Sequence, residues 1–367
     1  MDFAFSEEQD ELRQGVRTVL DAECSPDALR AFDLADQRAR AELAGNRWGV
    51  LAELGAPALV VPEAAGGLGL SDVDLVAVLE EAGRACLPEP LLETAALAAP
   101  TLAALLPDPA ARAALAALVQ DDAPFAVGGI EVSAAGVVSP TQVSADGMLR
   151  TPRVVGARDA DVLLLACRDA ESGWQLHAVP AASCTADATP ALSATRDLAT
   201  VHWPLGSDTL LAYGVAAEAA VGLLADRAAA GTAALLVGLA ERMLAMAAAY
   251  AKERHQFGRP IGSFQAVKHH LANGRVALEF ARPATYRAAW SLATAQPTLS
   301  HDASMAKAMA SDAADLAARV ALQIHGAIGY TWECDLHLFM KRSWALSRAW
   351  GDAATHRRLV LAQLGRG

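Results

Sequence analysis

Apolar residues recur at helical spacing from Phe5 to about Asp121, give way to short runs broken by turn residues, and return to helical spacing from about Tyr213 to Leu364. The stretch SEEQDELRQGVRTVL reads as a surface helix with Ser6 as its N-cap, and Glu8 and Asp10 lie where the helix dipole favours negative charge. A second helix leads through the Gly/Pro-rich connection GAPALVVPEAAGGLGL to a third, which Ser71 caps with Asp74 completing a capping box. PEPLLETAALAAPTLAALL adds another apolar helix. Between about 123 and 212, runs of Val, Ile, Leu and Thr are separated by Gly, Ser, Asp and Pro, as in strands joined by turns, on the scale of a small barrel or sandwich. The expected fold is mainly α with a central β domain, in the order α–β–α: residues 1–122, 123–212 and 213–367.

Composition agrees with this pattern. The chain has 367 residues, 53% hydrophobic and only 5% aromatic, with alanine throughout, and alanine loses no side-chain entropy in a helix. A formal net charge of -12 argues against nucleic acid as a partner but leaves room for a local basic pocket. The start MDFAFSEEQDELRQ has no basic region ahead of an apolar one, so no signal or transit peptide is expected. The most apolar segment, residues 228–240, falls short of the ~20 residues that a bilayer demands and reads as a buried helix, so no membrane insertion is expected. Five cysteines without zinc-like spacing suit reduced thiols in a cytoplasm, and no metal site is expected.

One helical stretch is broken from within: YAKERHQFGRPIGSFQAVKHHLAN, residues 250–273. Its apolar stripe leaves Arg254 and His255 at a helix end, Gly258, Pro260 and Gly262 interrupt the helix, and a new one is expected from about Ser263 as N-cap. The break reads either as a helical hairpin with a solvated arginine or as an anion site at an arginine beside a fresh helix start. The GGLGL of residues 66–70 lacks dinucleotide-fingerprint spacing and reads as an interhelical turn. His269, His270, His325, His337 and His356 form no zinc motif and read as helix-surface or core residues.

The broken segment resembles the flavin-contacting segment of the acyl-CoA dehydrogenase family, approximately Y-x-x-x-R-x-x-F-G-x-x-I-x-x-F-Q-x-x-x-x-x-L-A. LGAPALVVPEAAGGLGLSDVDLVAVLEEAGRA resembles that family's N-terminal turn and following helix, and QIHGAIGYT its Q-x-x-G-G-x-G-[YF] stretch. The resemblance implies an α–β–α fold, bound FAD, and a dimer or tetramer in which one subunit completes its neighbour's flavin site. It implies that Arg254 meets the FAD pyrophosphate, that Gln256 and Phe257 line the cofactor, and that Phe264 and Gln265 hold its adenosine side. Gln323, Gly326 and Ala327 sit where the glycine-rich turn approaches FAD of the adjoining subunit, Ala327 replacing a family glycine. The implied chemistry is α,β-desaturation of an acyl-CoA, with electron-transfer flavoprotein as acceptor and fatty acyl or steroid side-chain thioesters as substrates.

The chain departs from the family where the base belongs. Counted forward from Gln323, the slot of the catalytic glutamate falls on Trp350; counted back from Arg254, the alternative slot falls on about Ala228. The nearest carboxylates are Asp352 and Asp226, and Asp352 is read either as a substitute base or as the cap of the last helix. GGIEVSAAGVV and TPRVVGARDADVLLLA also replace the family stretches that back the flavin ring. The expectation is the less complete subunit of a heteromeric enzyme. The alternatives are a homo-oligomeric flavoenzyme using Asp352 or a water, and a scaffold that has lost flavin.

Overall fold

The computed structural model describes residues 5–143, 148–169 and 173–364. Helices α1 (Glu7–Glu23), α2 (Pro26–Leu34), α3 (Gln37–Glu53) and α4 (Asp72–Ala85) are followed by a π-helix at Leu92–Ala98, then α5 (Ala99–Ala104) and α6 (Pro109–Gln120). Strands follow: β1 (Phe125–Gly128), β2 (Glu131–Ser133), β3 (Gly136–Val138), β4 (Gln142–Val143), β5 (Leu149–Val155), β6 (Val162–Asp169), β7 (Gly173–Pro180), β8 (Thr185–Thr189), β9 (Leu198–Trp203) and β10 (Leu210–Tyr213). Helix then returns as α7 (Gly214–Glu253), interrupted by the short β11 (His255–Gln256) and β12 (Arg259–Pro260), and continues as α8 (Gln265–Ala293), α9 (Leu299–His325), α10 (Leu336–Arg348) and α11 (Ala353–Leu364).

Local chemistry sets several of these boundaries. At α1 the full capping box forms: the Gln9 N–H donates to Ser6 Oγ and the Ser6 N–H to Gln9 Oε1. At α4 only the returning half forms, because Asp74 Oδ2 accepts from both the Ser71 N–H (2.8 Å) and the Ser71 hydroxyl (2.6 Å). The apolar segment at 228–240 is part of a longer helix than its own pattern suggests. α7 runs 40 residues and is apolar enough by length and composition to cross a membrane, but 72% of its most apolar window is buried within the protein.

By contacts the chain forms two compact units: Met1–Leu34 with Val76–Leu87 and Ala229–Gly367, and Ala35–Leu75 with Pro88–Ala228. The first is helical. Its α9 buries an alanine-rich face, and α4 and α7 come close enough that a Cβ on Gly238 would lie 1.9 Å from the Glu80 carbonyl oxygen, so no larger residue fits there. The buried Glu80 and Glu81 are neutralised from several helices. Glu81 takes Arg13 (2.8 Å), Arg17 (2.6 Å) and Arg84 (2.6 Å), and Glu80 takes Arg13, Arg282 and the Tyr286 hydroxyl (2.7 Å). Burial alone would raise the Glu81 carboxyl; the guanidiniums of Arg17, Arg84 and Arg13 outweigh it and hold that carboxyl low.

The second unit holds β1 to β10. Two four-stranded sheets, in the orders β1-β6-β7-β10 and β4-β5-β9-β8, share one core in which Ala126, Leu163, Leu165 and Val179 meet Leu149, Val154, Val201 and Trp203. Trp203 is fully buried, and its indole N–H donates to Thr151 Oγ1 at 2.9 Å. The β region is thus a sandwich, with no closed barrel among the described residues.

Candidate functional site

The break after α7 is a hairpin. His255 pairs with Pro260 and Gln256 with Arg259, leaving Phe257 and Gly258 as the two turn residues, at φ +52° and +76°. Positive φ at both central residues is the type I′ pattern, which favours Asn-Gly or Gly-Gly; a phenylalanine there costs about 1–2 kcal/mol. The Phe257 ring does not recover that cost by burial, because it is 91% exposed. The Ile261 N–H donates to the Arg254 carbonyl (2.8 Å) and closes the loop. The expected N-cap at Ser263 does not form: its hydroxyl donates to Pro260 O (2.7 Å), and α8 starts at Gln265 behind an extended Phe264. The local turn captures the hydroxyl before the helix begins.

Around this hairpin the expected site residues lie at the surface. Arg254, Gln256 and Gln265 are exposed, and the guanidinium of Arg254 has no ion-pair or hydrogen-bond partner among the described residues. Phe264 meets Phe257 edge-on at 6.1 Å and carries the Arg259 guanidinium 4.2 Å above its ring.

The second expected segment is tied to the first. In the last turn of α9, His325 stacks on Tyr250 near the end of α7, with centroids 4.6 Å apart and planes 22° from parallel, and its Nδ1–H donates to Ala321 O at 2.8 Å. Exposed Gln323 therefore stands two residues from a stack that is four residues from Arg254. Gly326 ends α9 at φ +65° and ψ −139°, a conformation glycine adopts freely, and Ala327 follows it, exposed. His325 was expected only as a surface or core residue. It is a buried one whose place in this stack has no local sequence signal, since Tyr250 lies 75 positions away.

Asp352 belongs to a different turn, between α10 and α11. Its Oδ1 accepts from the Thr355 N–H at 2.8 Å, and the Thr355 amide and hydroxyl hold its carboxyl below the usual range. Before it, Trp350 and Gly351 have φ of +56° and +91°. Ala228, the other slot, is fully buried on α7. In the β region, GGIEVSAAGVV forms the end of β1 and the hairpin of β2 with β3.

Family models for the acyl-CoA dehydrogenase N-terminal and C-terminal domains match residues 6–116 and 219–365. The acyl-CoA dehydrogenase IpdE2 of Mycolicibacterium smegmatis is 33% identical over 366 residues, covering 98% of this chain and 99% of that protein. The chain belongs to the acyl-CoA dehydrogenase family. Among solved structures, the ChsE4–ChsE5 complex from Mycobacterium tuberculosis superposes with a TM-score of 0.86 at 25% identity, covering all of both chains. The Tcur3481–Tcur3483 steroid ACAD does so at 0.84 and 26%, covering 98% of each.

This acyl-CoA dehydrogenase relative carries groups that fit a flavin dinucleotide. An exposed guanidinium without a counter-ion among the described residues suits a pyrophosphate, and a strained, solvent-facing Phe257 braced by Phe264 suits an aromatic ring system. Arg259, not among the expected site residues, is the second cation of that surface and was legible as the arginine inside FGRP.

Proposed function

We propose that this chain is a subunit of an FAD-dependent acyl-CoA dehydrogenase and that it is the less complete member of a heteromeric enzyme. The observation that carries the reading is Trp350: where the family pattern calls for the glutamate base, the chain holds an indole in a left-handed turn. Asp352, two residues on, spends its carboxylate on capping α11. The chemistry that the flavin supplies when bound is acceptance of a hydride from the β carbon of an acyl thioester. The residues of this chain bind and orient. Arg254 pairs with the pyrophosphate, Phe257 and Phe264 shield the cofactor from water, Gln256 and Gln265 offer hydrogen bonds beside them, and the turn at Gln323, Gly326 and Ala327 reaches the flavin shared with the neighbouring subunit. The α-proton goes to a carboxylate of the partner subunit.

The two-component complex among the structural neighbours supports a heteromer, and the steroid enzyme among them supports a bulky acyl-CoA as substrate. An electron-transfer flavoprotein as acceptor follows the family habit, and the free thiols suit a cytoplasmic setting. The test is the visible absorption spectrum of the purified chain, alone and co-expressed with a neighbouring dehydrogenase-like chain that retains the glutamate. The reading expects little flavin alone and roughly one FAD for every two chains in the complex. A full complement of FAD in the chain by itself would overturn the heteromeric reading.

A further inference from the structure

α9 carries a buried ammonium that the proposed function leaves unused. Lys307 is fully buried, and its Nζ donates to Gly351 O (2.8 Å), Ser347 O (3.2 Å) and Ser311 Oγ (3.2 Å). Two of these acceptors are main-chain carbonyls on either side of Trp350. The Trp350 carbonyl itself accepts from His356 Nε2–H at 2.8 Å. The turn between α10 and α11 is therefore gripped from α9 through the Gly351 carbonyl and from α11 through the Trp350 carbonyl, and α9 also holds the last turn of α10 through the Ser347 carbonyl.

The conformation so gripped is not one the turn adopts for its own sake. Two successive residues have positive φ, and the first is a tryptophan. Trp350 Nε1, Ser347 Oγ and His356 Nδ1 are in addition buried without a hydrogen-bond partner among the described residues. Native proteins keep few such groups, and three in and beside one turn mark a geometry retained at a cost. An ammonium is suited to this grip because it offers three donors to separate acceptors, and its bonds are charge-assisted.

We propose that Lys307 is a positioning residue: through Ser347 O and Gly351 O it locks the turn in its left-handed form and so fixes the Trp350 indole at the position where the family pattern has its base. The functional weight of that position rests on the proposed function; the lock itself does not. Without Lys307, two carbonyls lose their donor and the turn is free to relax toward negative φ, which swings the indole away.

Near-ultraviolet circular dichroism of the full-length chain tests this, because an indole held in one asymmetric setting gives a band that a mobile one lacks. The difference between wild type and W350F reports Trp350 alone, and the same difference is taken between K307M and K307M/W350F, at a temperature where the far-ultraviolet spectra coincide. The expected result is a clear Trp350 band in the first pair and its loss in the second. S311A, which removes only the acceptor outside the turn, keeps the band. Should K307M fail to fold, K307Q, whose amide reaches fewer acceptors, takes its place and gives a weakened band. An equal Trp350 band with and without Lys307 overturns the proposal. Flavin stoichiometry does not enter the measurement, so the heteromeric reading and the lock fail separately.

Discussion

Two turns of this protein share a local conformation and differ in everything around it. Phe257–Gly258 and Trp350–Gly351 are both aromatic-glycine pairs with positive φ at both residues. The first sits at the tip of a two-strand hairpin with its ring in solvent; the second is gripped by Lys307 and His356 beneath the last two helices. A strained turn persists only when its surroundings hold it, and these two are held by different means. At residues 257–258 a few main-chain bonds suffice, and the ring is left free to meet a ligand. At residues 350–351 buried donors do the holding, and the ring is held with them. Equal backbone strain thus accompanies a solvent-facing ring in one place and a gripped turn in the other.

Acid separates them most strongly. Burial pushes His356 down to about 4, although its bond to the Trp350 carbonyl opposes this, and burial likewise lowers His177 in the sandwich to about 4. The unfolded chain takes up these protons near the ordinary histidine value of 6.5, so between 6.5 and 4 it binds more protons than the folded chain. The stabilisation is complete above 6.5 and is lost as pH falls through that window, by up to about 3 kcal/mol per histidine. Urea midpoints at pH 7 and pH 4.5 should show the loss, and H356L should make the slope shallower, with His177, His337 and the carboxyls held low, Glu81 and Asp302 among them, supplying the remainder. An unchanged slope in H356L would separate the buried turn from the acid sensitivity.

At neutral pH, H356L should itself cost about 2–3 kcal/mol, because the Trp350 carbonyl stays buried without its donor. The urea midpoint of the variant checks this, and a loss below half a kcal/mol would show that Lys307 alone suffices. At the exposed turn the effects move from stability to binding. R254Q should leave the urea midpoint in place, since the Arg254 guanidinium has no partner among the described residues, yet weaken FAD binding by the assembled enzyme about 10- to 100-fold. Fluorescence titration of released flavin reads that ratio, and wild-type affinity in R254Q would take the arginine out of the cofactor site. The smallest effect is a gain. F257G should stabilise the chain by about 1 kcal/mol, as glycine adopts φ +52° without strain and a ring 91% exposed gives up only its edge contact with Phe264, while flavin retention falls. A loss of stability in F257G would mean that Phe257 supports the hairpin.

Much of this was legible along the chain because it is written in short-range patterns. Helical periodicity, the Ser6 cap, the strand-rich stretch between helical ones and the broken helix at residues 254–262 all depend on neighbours a few positions apart. The resemblance that points to FAD rests on the same local strings. Where two local partners competed, the pattern misled: Ser263 looks like a cap, but its hydroxyl donates to Pro260 O instead.

Tertiary structure decided the rest, since it concerns groups far apart in sequence whose energies depend on burial. The stack of His325 on Tyr250 joins two segments that the string treats separately. Glu80 and Glu81 look like surface acids of an amphipathic helix, and only the convergence of Arg13, Arg17, Arg84, Arg282 and Tyr286 makes them tenable inside. Nothing in the local pattern singles out Lys307 within its alanine-rich helix; the fold takes it from water, and a buried ammonium must find oxygens, which here include the carbonyls beside Trp350. The sequence by itself determined which elements form and, through the family its motifs mark, which cofactor to expect. Only packing decided which charges are buried, and therefore which turns are free and which are locked.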